Sequence, residues 1–179
     1  MKGIVFTEFL DLVGQRYGEE MMDRIIVESN LPSGAAYTSV GTYDHGELIS
    51  MAVALSRATE TTVSDFLRMF GEHLFGGFAK RYPQFFAGIN SSFDFLDQVE
   101  KHIHVEVRKL YPDAELPSIT CSRRAPDRME LVYRSTRPLA SFAEGLMRGA
   151  IAHFKEEVDI VRLNWAVDDT YARFELRKS

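Results

Sequence analysis

The apolar pattern divides the chain into two parts with different periodicity. Up to about Tyr111, apolar residues recur at helical spacing. Val5, Phe6, Phe9, Leu10, Leu12 and Val13 predict a helix over residues 1–17, ended by Gly18. A second helix is expected over residues 19–29, stopped by Asn30-Leu31-Pro32, with a loop over 33–43. Asp44-His45-Gly46-Glu47 reads as a capping box opening a helix to about residue 59. Thr62-Val63-Ser64-Asp65 resembles such a box and opens a helix to about residue 81, with Pro83 beyond. Inside that helix the pair Gly76-Gly77 costs about 2 kcal/mol relative to alanine, which points to a close approach of something bulky. Ser92 is the expected cap of one long helix over residues 93–110, stopped by Tyr111-Pro112.

The second part mixes strands and a helix. Residues 119–123 and 129–135 predict a hairpin across Ala125-Pro126-Asp127. Residues 139–157 read as a helix with Phe142, Leu146, Ala150 and Phe154 on one face. Residues 158–167 and 170–177 predict a second hairpin around Asp168-Asp169. The fold class is α+β: an N-terminal helical subdomain followed by a four-stranded antiparallel sheet with packed helices, one domain over residues 1–179.

Composition narrows the function. Apolar residues make up 45% and charged residues 26%, ordinary for a globular chain and unlike a disordered one. No apolar run approaches the roughly 20 residues needed to span a bilayer, and no signal peptide is read, so the expectation is a cytoplasmic protein without membrane contact. A net charge of −5 argues against a nucleic-acid partner, which calls for a basic face. The single cysteine, Cys121, cannot form an internal disulfide and is expected as a half-buried strand residue. The histidines at 45, 73, 102, 104 and 153 are scattered and no Cys-rich cluster exists, so no zinc site is expected.

Two patterns could carry chemistry. Leu96, Val99, Ile103, Val107 and Leu110 form an apolar stripe, and His102 and His104 lie about 100° to either side of Ile103. Both histidines flank the stripe, and periodicity does not choose between them. In Tyr133-Arg134-Ser135-Thr136-Arg137, residues two apart on a strand share a face. Tyr133, Ser135 and Arg137 would then present two hydroxyls and a guanidinium together, a receptor for carboxylates.

With these residues the chain resembles the H-NOX (haem nitric oxide/oxygen binding) domains, relatives of the haem domain of soluble guanylate cyclase. The resemblance rests on Met1-Lys2-Gly3-Ile4-Val5, on the stretch from Ile103-His104 to Tyr111-Pro112, on Tyr133-x-Ser135-x-Arg137, and on Gly145-Leu146-Met147-Arg148-Gly149. It covers essentially the whole chain. It implies haem b with ferrous iron, His104 as axial ligand, and Tyr133, Ser135 and Arg137 on the propionates. Pro117 resembles a family proline that presses on the macrocycle. The resemblance also implies a distal subdomain over 1–60, a proximal one over 61–179, and the haem between them. Gly76-Gly77 then reads as a helix passing close to that macrocycle.

The family pattern also implies a gas. Its oxygen-binding members carry a distal tyrosine, and the matching position here resembles Phe142, with Phe9 and Leu74 beside it. Val5, Phe78 and Leu146 complete the expected distal pocket. None of these offers a hydrogen-bond donor, so NO and CO complexes are expected without stable O₂ binding. Some family members carry a Cys/His zinc site near the C-terminus, which this chain lacks after Cys121. The expected role is a sensor acting on a separate partner such as a histidine kinase or a cyclic-di-GMP enzyme. A haem enzyme acting on NO or peroxide is the alternative, disfavoured by the missing distal acid–base group. A haem carrier is a third reading, disfavoured by three propionate contacts plus one axial bond.

Overall fold

Local stop signals set the helix boundaries in the computed structural model, which describes residues 1–179. Helix α1 (Gly3–Tyr17) gives way to α2 (Glu19–Ser29) at Gly18, whose φ of 88° few other residues adopt. Helix α3 (His45–Ala58) is capped by Asp44, which accepts from the Gly46 N–H at 2.7 Å. The expected reciprocal half of that box does not form. Glu47 turns inward instead, 7% exposed, and accepts from Ser33 Oγ at 2.5 Å and Tyr37 Oη at 2.7 Å. A buried carboxylate needs donors, and the 33–43 loop supplies them. In helix α4 (Val63–Arg81), Thr62 accepts from the Asp65 N–H and donates to the Asp65 carboxylate.

The single helix expected over 93–110 is three pieces: α5 (Ser92–Gln98), a π-helical turn (Val99–Ile103) and α6 (His104–Leu110). In the wider turn the His104 N–H bonds to the Val99 carbonyl, five residues back. The extra residue in the turn shifts the phase of α6. Leu110, the last member of the expected stripe, is 64% exposed. The cap is Ser91 rather than Ser92, accepting from the Asp94 N–H at 3.1 Å. Ser92 is fully buried, and its N–H and hydroxyl both donate to Glu156.

Strands β1 (Ser118–Ala125), β2 (Arg128–Arg134), β3 (Val158–Trp165) and β4 (Tyr171–Lys178) form one antiparallel sheet in the order β1-β2-β4-β3. Two hairpins therefore lie side by side. Met129, Leu131 and Tyr133 of β2 alternate inward beside Ala172, Phe174 and Leu176 of β4. Between the hairpins runs α7 (Ala140–His153), four residues shorter than expected at its C-terminal end, with Lys155 just beyond it at φ 54°. Asp169 caps it from the second hairpin, its carboxylate accepting from the Ser141 N–H at 2.8 Å.

Helices α4 and α7 pack backbone to backbone. A Cβ on Gly71 would overlap the Phe142 carbonyl, one on Gly145 the Arg68 carbonyl, and one on Gly149 would lie 2.5 Å from Phe75 Cβ. Close helix-to-helix approach is thus made at Gly71, Gly145 and Gly149 and not at Gly76-Gly77. Gly76 is exposed with open space around it, and a Cβ on Gly77 would lie 3.3 Å from the Glu8 carboxylate. No helix is long and apolar enough to cross a membrane.

Candidate functional site

Burial separates the two histidines that periodicity left equivalent. His102 is exposed, whereas His104 is only 9% exposed. The π turn places His104 at the start of α6, with Nδ1 2.9 Å from Glu100 Oε2. The same oxygen accepts from the Ile119 N–H at 3.2 Å, and Oε1 accepts from Arg108 at 3.3 Å. Burial pushes the His104 imidazole below its usual range, and Glu100 only partly opposes this. Burial alone would raise the Glu100 carboxyl, but His104, the Ile119 amide and Arg108 outweigh it and hold it low. In this geometry a neutral imidazole donates Nδ1–H to the carboxylate. Nε2 is left with a lone pair that can bind a metal.

Tyr133, Ser135 and Arg137 do come together, but not as the shared face of a strand. β2 ends at Arg134, and the chain then turns. Ser135 Oγ accepts from the Arg137 N–H at 3.0 Å, and Tyr133 Oη lies 3.5 Å from the Arg137 carbonyl. Burial pushes the Tyr133 phenol up to about 12, so it remains a donor. The Arg137 side chain donates to the Glu115 carbonyl at 3.1 Å and to its carboxylate at 2.6 Å. Its Nε is buried without a partner. Glu115 holds Arg137 from the loop before Pro117, which is half-buried ahead of β1.

The N-terminus closes in beside this group. Burial, and then the charge of Arg137, push the Met1 amine below its usual range. It donates to the Tyr43 carbonyl at 2.6 Å. Lys2 reaches Thr42 at 2.8 Å and Asp113 at 3.0 Å, and lies over the Tyr111 ring. The first residues are thereby fastened to the loop after α6.

Three helices contribute an apolar wall. Val5 and Phe9 lie one turn apart on α1, Leu74 and Phe78 on α4, and Phe142 and Leu146 on α7. Phe9 and Leu74 are buried; Val5, Phe78, Phe142 and Leu146 are half-buried against the same core. Phe70 joins them, with ring centroids 5.3 Å from Phe9 and 5.2 Å from Phe142.

Glu100, Glu115 and Phe70 were not singled out from the sequence. Glu100 is four residues before His104 and Phe70 four before Leu74, so helical spacing could have found both. Nothing local marks Glu115. His73, 3.9 Å from Glu8, and Cys121, a half-buried thiol pushed up to about 12 by burial, stand outside this group. A polar groove of about 530 Å³ between α4, α7 and β3 is also separate. Its arginines are already paired, Arg68 and Arg148 with Glu144 and Arg162 with Asp169.

An available imidazole nitrogen, a cluster of hydroxyl and guanidinium donors and a donor-free apolar wall are the kinds of group that a largely apolar, carboxylate-bearing metal cofactor requires. The haem-NO-binding family matches residues 2–162, and the chain belongs to that family. Among solved structures, the unliganded Fe(II) H-NOX protein of K. algicida is 39% identical, with a TM-score of 0.95 over 100% of this chain and 97% of that one. The IWP-051-bound Fe(II)CO H-NOX of Shewanella woodyi is also 39% identical, with a TM-score of 0.84 over 100% and 95%. The Fe(II)NO H-NOX protein of S. oneidensis is 26% identical, with a TM-score of 0.90 over 100% and 99%. No curated protein matches.

The residues present fit haem. The orphaned Arg137 Nε, the Tyr133 and Ser135 hydroxyls and the free His104 Nε2 are the groups that two propionates and an iron need.

Proposed function

We propose that this chain is a haem-based nitric oxide sensor, binding NO and CO but not stably O₂, and signalling to a separate protein. The observation that carries this reading is the pairing of a buried, Glu100-oriented His104 with a wall that offers no donor. Haem b, when bound, would supply a ferrous iron able to take a diatomic gas. His104 Nε2 would bind that iron. Tyr133, Ser135 and Arg137 hold the propionates, and Arg137 remains fixed from behind by Glu115. Pro117, half-buried in the loop before β1, would pack against the haem group. Phe9, Phe70, Leu74 and Phe142, with Val5, Phe78 and Leu146 around them, exclude water and give no hydrogen bond to a ligand. That favours NO and CO, which depend little on one, over O₂, which depends on it strongly.

The chain's part in signalling is movement. Displacement of His104 would free the π turn and α6, and with them the Pro117 segment. The recipient is a cytoplasmic partner of the histidine kinase or cyclic-di-GMP enzyme kind. This role needs no catalytic acid or base in the distal wall.

The test is the absorption spectrum of the reduced protein alone, with NO and in air, repeated for His104→Gly and His102→Gly. The expected result is a five-coordinate ferrous haem that takes NO, ignores air, and loses its axial ligand only in His104→Gly. An oxygen complex in air, or axial ligation that survives His104→Gly, overturns the reading.

A further inference from the structure

Helix-surface pairs such as Lys101–Asp97, also four residues apart, hold nothing beyond their own turn. Glu100 differs. Its Oε2 accepts from His104 Nδ1 and from the Ile119 backbone N–H of β1, and its Oε1 from Arg108. One carboxylate therefore joins the π turn, α6 and the sheet. The widened turn sends the His104 N–H to the Val99 carbonyl, five residues back, where a regular α turn would send it to Glu100. Ile119 stands two residues after Pro117.

From this convergence we infer that Glu100 is the positioning residue for His104, fixing its ring and coupling its displacement to the start of β1. The inference rests on His104 being the axial ligand. An ionised carboxylate that accepts Nδ1–H fixes the tautomer, aims Nε2 and makes it a stronger donor. Without it the axial bond weakens and the ring turns more freely. Because Oε2 is shared, a ring that moves pulls on the same oxygen that holds the Ile119 amide. Motion of the ligand is thereby delivered to the strand next to Pro117 and not only along α6.

The experiment is resonance Raman spectroscopy of the reduced, haem-loaded chain, with amide exchange at Ile119. Wild type, Glu100→Gln, Glu100→Ala and His104→Gly are compared. The iron–histidine stretching band is expected at lower frequency in both Glu100 variants. Its loss on NO addition is expected about tenfold faster, the scale of effect such supporting residues have. Exchange at Ile119 rises in Glu100→Ala and less in Glu100→Gln, whose amide oxygen still accepts; the near-isosteric Gln also guards against a variant that fails to fold. A band unmoved in both variants overturns the positioning role. A shifted band with Ile119 exchange unchanged overturns the coupling to β1. No iron–histidine band in the wild type, or one that persists in His104→Gly, removes the axial assignment itself and this inference with it.

Discussion

At the residue scale, the proposed choice of gas rests on the donor-free wall, and position 142 tests it. Phe142 stacks on Phe70 with centroids 5.2 Å apart, in a wall without a single donor. Phe142→Tyr adds one hydroxyl there at little cost in shape. The reduced variant is expected to form an oxygen complex in air that the wild type does not form, read as a shift of the haem absorption band. An unchanged spectrum in air would mean that position 142 does not face the ligand. Phe9, Leu74 and Phe142 were expected as wall residues through the family resemblance rather than through periodicity, and the structure sets them at one apolar core. The choice between His102 and His104 was not legible from periodicity, since both flank a 3.6-residue stripe equally and only burial separates them. The Tyr133, Ser135 and Arg137 cluster was legible as a motif but for an incomplete reason. The strand ends at Arg134, and it is the Ser135 hydroxyl gripping the Arg137 N–H that gathers the group. Glu115 was invisible because its partner lies 22 residues away across a loop.

At the element scale, glycines act in opposite ways along neighbouring helices. Gly145 is buried where α7 meets the Arg68 carbonyl of α4, with no room for a methyl group. Gly145→Ala gains helix propensity of up to about 1 kcal/mol, but it must push two backbones apart. Overpacking typically costs about 1–3 kcal/mol, and here the obstacle is backbone and cannot rotate away. Net destabilisation is expected, seen as a lower denaturation midpoint. Gly76 is exposed with open space around its Cα and ordinary helical φ. Gly76→Ala is expected to stabilise by roughly 0.5–1 kcal/mol through propensity alone. Equal effects of the two substitutions would contradict the packing of α4 on α7. The sequence marked Gly76-Gly77 as the costly pair because propensity is a local quantity. Which glycine sits at a helix crossing is a tertiary fact. The same limit explains the long helix over 93–110. Its caps and its terminating proline were readable, whereas a π turn leaves the composition of a helix intact and changes only its phase.

At the scale of the whole molecule, the segment that carries His104 is fastened to the sheet through acid-labile contacts. Glu156, just past α7, accepts from the Ser92 N–H and hydroxyl at the start of α5 and from Lys178 of β4 at 2.7 Å. Asp94 of α5 meets Arg123 of β1 at 2.5 Å. Burial on its own would raise the Glu156 carboxyl, but Lys178 and Ser92 outweigh it and hold it below its ordinary value of 4.5. Ser91, chiefly, and Arg123 likewise hold Asp94 below 3.8. A carboxyl whose folded pKa is depressed contributes stability that is complete above its unfolded pKa and is lost as pH falls through the folded one. Stability is therefore expected to decline as pH drops below about 4.5, the ordinary value for Glu156. Glu156→Gln removes its share of that dependence. Its melting temperature should lie below that of the wild type near neutral pH, where the carboxylate is charged. The gap should narrow below about 4.5 and close once the folded carboxyl is protonated as well. A gap that stays constant from neutral to acid pH would show that Glu156 acts through packing rather than charge. Because Ser92 opens the segment that runs through the π turn to His104, acid should loosen His104 along with α5. In the wild type, loss of the axial ligand and loss of α5 helicity should then share one acid transition. In Glu156→Gln the axial ligand should be less firmly held even at neutral pH.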